Sequence, residues 1–265
     1  MLRVWGTPFL WTKVVTLALL LVVSFLVGAL IGAVGVGGIL LIPALSALAG
    51  LTIHEAAATA LFTFLFTGVL GTHLFQQRGS IDWKLAVPVC AGAAVSGFFG
   101  AWLNSRLHAP QLAVILACVI IFAGVYTLRS WHGSARPALE DRKPEQHALL
   151  LGIGAVAGFG SGLTGVGGPA LSVPIMVLFG FPALRTIGVS QVIQILAAAS
   201  GTVGNLRYGA INYHVAAIVT AFEVAGVVLG VHIVHAVNAQ MLRRFVALLC
   251  VVVGTGLLVR ALGLA

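Results

Sequence analysis

Gly28-Ala-Leu-Ile-Gly32-Ala-Val-Gly35-Val-Gly37-Gly38 recurs 130 positions later as Gly158-Phe-Gly-Ser-Gly162-Leu-Thr-Gly165-Val-Gly167-Gly168. The second stretch keeps every glycine numbered in the first, so the chain reads as a duplication. Each copy lies inside an apolar segment, where a cluster of glycines breaks a membrane helix and exposes backbone. Interrupted apolar segments at corresponding positions of two halves point to a transporter binding site.

The same offset pairs Gly50 with Gly180, Gly71-Thr72 with Gly201-Thr202, Gly79 with Gly209, Ile81 with Ile211, Gly100 with Gly230, Gly124 with Gly254 and Leu128 with Leu258. No gap is needed, and a period held that long marks a repeat architecture. Three divisions follow: a first transmembrane repeat over 1–128, a polar linker over 129–147 interrupted by Pro137 and Pro144, and a second repeat over 148–265.

Of 265 residues, 60% are hydrophobic and 8% charged, with a mean hydropathy of +1.12. A soluble globular domain carries roughly 25% charged residues, so a soluble fold is excluded. The runs 14–34, 56–75, 85–103 and 112–128 each approach the roughly 20 apolar residues that cross about 30 Å of hydrocarbon. The expected fold is an all-α polytopic membrane protein. Each half reads as a glycine-broken segment (14–50, then 148–180) followed by three spanning helices, the second set being 186–206, 214–234 and 242–262. That makes eight to ten membrane segments.

Net charge is +8, from 14 Lys and Arg against 6 Asp and Glu. The basic residues flank apolar segments, which suits topological anchoring; no basic face with exposed partners exists for nucleic acid. If each broken segment crosses once, the cytoplasmic and opposite sides hold ten and four basic residues. If each crosses twice, the halves are inverted repeats, the split is nine to five, and both termini lie outside. Both versions put the central linker in the cytoplasm. Residues 1–13, with Arg3 and Lys13, resemble a signal peptide, but the apolar run continues into the repeat and reads as a retained first helix. Cys90, Cys118 and Cys250 lie in apolar runs and read as small buried hydrophobes.

After each glycine cluster the apolar run resumes, as Ile39-Leu-Leu-Ile-Pro43 and Pro169-Ala-Leu-Ser-Val-Pro174. Pro169 suits the first turn of a helix. A half-helix starting at mid-membrane depth has N–H groups without intrahelical partners and the positive end of its dipole free, a site for an anion. The flanking pairs Gly28/Gly32, Gly158/Gly162 and Gly226/Gly230 are GxxxG pairs and read as helix packing.

The pattern Gly35-Val-Gly37-Gly38-Ile-Leu-Leu-Ile-Pro43-Ala-Leu, followed by Gly50-Leu-Thr-Ile-His-Glu-Ala56-Ala-Ala-Thr59-Ala, resembles the TauE/SafE family of membrane transporters, also called sulfite exporters. Gly165-Val-Gly167-Gly168-Pro-Ala-Leu-Ser-Val-Pro174 with Gly188-Val-Ser190 resembles the same signature. The resemblance runs from about Val14 to Leu262. It implies movement of a small anion, such as sulfite, a sulfonate, sulfoacetate or a related organic acid, across a bacterial inner membrane. Members commonly have a third glycine where this chain has Ile39 and Pro169, and a Thr-Ser pair where it has Thr59-Ala60 and Val189-Ser190.

The expected substrate-binding residues are Gly35, Gly37, Gly38, Thr59, Gly165, Gly167, Gly168, Ser190, Gln191 and Gln194. Gln191 and Gln194 share a helix face, and neutral donors can hold an anion without burying a cation. Thr59, Thr63 and Thr67 form a stripe four residues apart, for which bonding to their own helix carbonyls is the competing account. Glu223 is the most expensive residue to place in hydrocarbon, at least about 2.5 kcal/mol if charged and unpaired, and should face the bundle interior. It reads as a proton-coupling carboxyl or a structural one. Arg185 and His54-Glu55 read as surface anchors or a gate ion pair. His232 and His235 lack a third ligand, so no metal is expected.

No P-loop, complete metalloprotease string or GxSxG elbow is present, so no catalytic residue or cofactor is expected and energy would come from a gradient. The expected partners are a small anionic substrate, the lipid bilayer and a coupling proton or sodium ion, with a homodimer left open and no nucleic acid. The alternatives are a membrane-embedded structural or assembly subunit, or an intramembrane enzyme without a recognisable motif.

Overall fold

The structure is a computed structural model that describes residues 7–35, 37–129, 139, 142–233 and 239–263, with some side chains within these ranges left out. Among the described residues it is entirely helical: α1 (Thr7–Val34), α2 (Leu41–Leu48), α3 (Ile53–Gln77), α4 (Trp83–Asn104), α5 (Ala109–Arg129), α6 (Lys143–Thr164), α7 (Pro169–Leu178), α8 (Ala183–Tyr208), α9 (Tyr213–Ile233) and α10 (Ala239–Ala261). A 3-10 turn, Gly38–Leu40, leads into α2. Seven helices (α1, α3, α4, α5, α6, α8 and α9) carry apolar spans long enough to cross a membrane. At 1.5 Å per residue, the 25 residues of α3 span about 37 Å. The chain is a multi-pass membrane protein. Helix α6 begins at Lys143, inside the polar stretch between the halves.

Local chemistry sets the helix ends. Thr52 and Glu55 form a reciprocal capping box at the start of α3: Thr52 Oγ1 accepts from Glu55 N at 3.3 Å, and Thr52 N donates to Glu55 Oε2 at 2.9 Å. Asp82 caps α4 by accepting from Lys84 N at 3.1 Å, and Asn212 Oδ1 accepts from Val215 N at 3.1 Å at the start of α9. Gly165 terminates α6 in the left-handed conformation (φ 75), and Gly35 follows α1 with φ 77. A side chain at either position would be strained, so glycine there stops the helix.

Small residues fix which helices touch. A Cβ on Gly28 of α1 would lie 2.7 Å from Glu223 Cα, and one on Gly226 of α9 would lie 2.8 Å from Ala29 N. In the α4–α6 crossing, a Cβ on Gly158 would lie 2.6 Å from Ala93 Cα, and one on Gly92 would lie 2.7 Å from Ala155 N. These crossings bring backbone against backbone, the arrangement that replaces hydrophobic driving force where lipid is as apolar as the protein.

The same contacts give direction. Gly28 faces Glu223 and Gly32 faces Val227, so α1 and α9 run parallel; Gly92 faces Leu151 and Gly100 faces Phe159, so α4 and α6 do too. Helices α3 and α8 are antiparallel: Leu61 meets Gly201, whereas Phe64 and Thr67 meet Gln194. Five boundaries recur 130 residues apart: Val34 with Thr164, Leu48 with Leu178, Ile53 with Ala183, Trp83 with Tyr213, and Ala109 with Ala239.

Cys90 is buried, but Cys118 is exposed on α5. An apolar run in a membrane protein packs inward on one side and meets lipid on the other, so hydropathy alone does not bury a residue. The Cys250 side chain lies outside the described set.

Candidate functional site

Both interrupted segments turn back on themselves. After α1, Gly37 folds against that helix, where a Cβ would lie 2.7 Å from Ile31 N. After α6, Leu171 of α7 lies against Gly160. The two breaks then meet each other: a Cβ on Gly38 would lie 2.8 Å from Val166 O and 2.6 Å from Phe64 Cζ, and one on Gly167 would lie 3.3 Å from Phe64 Cδ2. Between them is a narrow cleft of about 10 Å³, room for roughly one water molecule, lined among the described residues by Ile31, Gly35, Gly38, Phe64, Val166, Pro169, Ala170 and Gln194.

Pro169 occupies the first position of α7, with Gly168 as N-cap. The first N–H groups of such a helix have no acceptor one turn back; Leu171 N and Ser172 N are met by Gly168 O at 3.3 and 3.0 Å. In the other break, Leu40 N donates to Gly37 O at 3.2 Å. None of the described cleft-lining side chains is charged, so electrostatic attraction of an anion there would rest on the helix amino ends.

The expected site residues divide into those at the cleft and those away from it. Gly35, Gly38 and Gln194 line it, and Gly167 touches Phe64 from the other break. Ser190 faces Gly35, whose Cβ would lie 3.1 Å from Ser190 Oγ; the hydroxyl donates to Ile187 O at 2.7 Å. Gly168 packs on Ile193, Gly165 on Ala57, and Gly37 on α1. Thr59 accepts from Asn212 N at 3.1 Å, holding the start of α9, and is not among the lining residues.

Both glutamine amides are engaged with protein. Gln194 Nε2 donates to Phe64 O at 3.1 Å and to Thr67 Oγ1 at 2.8 Å, which occupies both of its hydrogens. Gln191 Nε2 donates to Ile31 O at 3.3 Å, while its Oε1 is buried with no partner. Thr63 and Thr67 donate to Ala60 O (2.9 Å) and Phe64 O (3.3 Å). Backbone bonding therefore accounts for the hydroxyl protons of those two, and Gln194 uses the oxygen of Thr67 as well.

Glu223 is 0% exposed, and among the described residues neither carboxyl oxygen has a hydrogen-bond partner within normal geometry. The Thr63 hydroxyl adjoins the carboxyl; its proton goes to Ala60 O at 2.9 Å, and its oxygen remains able to accept from a protonated carboxyl. Thr220 Oγ1, one turn before Glu223, is also buried without a partner. An orphaned buried carboxyl is unusual enough to need an explanation.

At the two ends of the bundle, Arg185 pairs with Asp82 at 3.4 Å, and His54 Nδ1 meets Asn104 Oδ1 at 3.0 Å. Asn104 Nδ2 donates to Leu163 O at 2.6 Å, so its oxygen is the acceptor and His54 Nδ1 carries the hydrogen. This chain ties the starts and ends of α3, α4 and α6 beside a break. Sequence reading did not single out Asn104 or Phe64; the 130-residue spacing of Phe64 from Gln194 was the available signal for Phe64. Among the described residues no group of three metal-ligating side chains is present, and His235 lies outside the described residues.

Apolar spans, reciprocal glycine crossings and a cleft between two interrupted helices define a multi-pass membrane protein of transporter type. The chain belongs to the family described as Sulfite exporter TauE/SafE, whose model matches residues 20–257. It is 29% identical to the Probable membrane transporter protein YdhB of Bacillus subtilis over 203 residues, 74% of this chain and 81% of that protein. It is 25% identical to the Probable membrane transporter protein YjnA of the same organism over 254 residues, 90% and 98% of the two chains. The Probable membrane transporter protein MJ0441 of Methanocaldococcus jannaschii is 25% identical over 204 residues, 74% of this chain and 75% of that one. No solved structure matches the chain.

Proposed function

We propose that this chain is a secondary transporter that moves a small anion (sulfite, a sulfonate, sulfoacetate or a related organic acid) across the bacterial inner membrane. The observation that carries this reading is the meeting of the two breaks, Gly38 against Val166 with Phe64 between, at an uncharged cleft. The amino ends of α7 and of the turn leading into α2 carry the positive ends of their dipoles there, which favours a negative charge without a buried cation. The backbone of Gly35, Gly37, Gly38, Gly165, Gly167 and Gly168 shapes the site. Ser190, Gln191 and Gln194 supply donors once they exchange their present acceptors for substrate, and Thr59 holds the adjoining helix. Glu223 is the proton-coupling carboxyl.

On this reading 1–128 and 148–265 are inverted repeats joined by a cytoplasmic linker over 129–147. The antiparallel pairing of α3 with α8, the reciprocal crossings α1–α9 and α6–α4, and the boundaries 130 residues apart support it. Each short helix returns toward the face its long helix came from. Following the helix directions, one face receives Arg78, Lys84, Arg129, Arg142, Lys143, Arg185, Arg243 and Arg244, and the other Lys13, Arg106, Arg207 and Arg260. The positive-inside rule then favours the linker side as cytoplasmic, with the start of α1 and the end of α10 on the opposite face.

The test is flux of radiolabelled sulfite and of short sulfonates in proteoliposomes. Saturable uptake supports the reading; absence of flux for every small anion tried overturns it.

A further inference from the structure

Phe64 stands where the two breaks meet, 1% exposed, and nothing in the anion reading above gives its ring a task. A Cβ on Gly38 would lie 2.6 Å from its Cζ, and one on Gly167 would lie 3.3 Å from its Cδ2. Each break thus omits a side chain on the side where the ring stands. The backbone beneath is fixed, because Phe64 O accepts from Gln194 Nε2 at 3.1 Å. A ring on an anchored backbone between two close-packed turns has little freedom to move aside. The residue 130 positions further on is Gln194 itself, so corresponding positions of the two halves face each other as an apolar wall and an amide.

Among the cleft-lining residues, Gly35, Gly38, Val166, Pro169 and Ala170 belong to the breaks and their helix starts, and Gln194 is held by two hydrogen bonds. Phe64 has the largest side chain of the lining set, and it comes from α3 rather than from either break. An anion whose charged end sits at the helix amino ends turns its remaining atoms toward that ring. We propose that Phe64 is the specificity-determining residue of the cleft: its ring sets how large a tail the transported anion can carry. The substrate class is an oxyanion that is either bare or bears a short apolar tail. This rests on the anion-transport reading.

The experiment uses the full chain in liposomes. Straight-chain alkanesulfonates of increasing length compete against labelled sulfite, for wild type, Phe64→Ala, Phe64→Leu and Phe64→Trp. Thermal stabilisation of the detergent-purified proteins by the same series supplies a second readout for variants that fold but do not transport. Wild type should lose affinity as the tail lengthens. Phe64→Ala should gain at least about tenfold for the longer sulfonates relative to sulfite, with Phe64→Leu intermediate and Phe64→Trp shifted to shorter tails. An identical length profile in all four proteins overturns the inference while leaving anion transport standing. Loss of all binding by a folded Phe64→Leu overturns it too, since the ring would then be a structural prop. A wild-type protein that neither binds nor moves any of these anions overturns the transport reading, and this inference with it.

Discussion

Gln194 Nε2 donates to the carbonyl of Phe64 at 3.1 Å across 130 residues of chain, the interval that also separates Gly35 from Gly165. With its second hydrogen on Thr67 Oγ1 at 2.8 Å, this amide ties α3 to α8 beside the cleft. An anion that takes either hydrogen removes one of the two bonds between α8 and α3, so substrate binding loosens that contact.

Gln194→Ala removes both bonds and leaves buried acceptors behind. A lost buried hydrogen bond with an orphaned partner costs about 1–3 kcal/mol, so thermal unfolding in detergent should fall by that order and flux should drop sharply. A Gln194→Ala protein with wild-type stability and flux would show that the tie has no role.

The glycine crossings tolerate still less. A Cβ on Gly28 already lies 2.7 Å from Glu223 Cα, and that atom is backbone with no rotamer to yield. Gly28→Leu should therefore exceed the usual 1–3 kcal/mol of an overpacked site and eliminate folded protein from the membrane fraction. Gly152→Leu, where nothing lies within 4 Å, should accumulate normally, and equal yields from the two variants would count against the α1–α9 crossing.

Glu223→Gln keeps the shape of a side chain that has no hydrogen-bond partner among the described residues beyond the adjoining Thr63 hydroxyl, so folded protein should remain in the membrane. If the carboxyl couples protons to substrate, flux driven by a pH gradient disappears, whereas exchange of labelled for unlabelled anion without a gradient persists. Unchanged pH-driven flux removes Glu223 from the coupling step.

Asn104→Ala strips Leu163 O and His54 Nδ1 of their shared partner. The expected loss is again about 1–3 kcal/mol, with His54→Ala costing less because Asn104 still reaches Leu163 O. Equal losses from the two variants would argue against Asn104 as the central member.

Much of this architecture is legible in the sequence, because backbone chemistry is written in residue type. Glycine clusters inside apolar runs mark where α1 and α6 stop, and Pro169 marks where α7 begins. The GxxxG pairs mark the crossings. What side chains do after packing is harder to read. Gln191 and Gln194 sit at helical spacing, but their spacing does not tell that Ile31 O, Phe64 O and Thr67 Oγ1 meet the amides first. Thr59 looks like a site hydroxyl until Asn212 N is found on it. Phe64 looks like any core aromatic, since its task depends on two turns distant in the chain. The direction of α3 against α8 also depends on packing, which hydropathy does not encode.

The central claim is that the two broken helices form one anion site at mid-membrane depth. Comparing Ile31→Phe and Ala170→Val, which crowd the cleft from the two broken segments, with wild type, for folded yield in the membrane and for labelled sulfite or sulfonate flux in proteoliposomes, tests this. Either variant should assemble and lose flux. Assembled variants with wild-type flux, or a flux-competent protein in which just one break is sensitive, would contradict it.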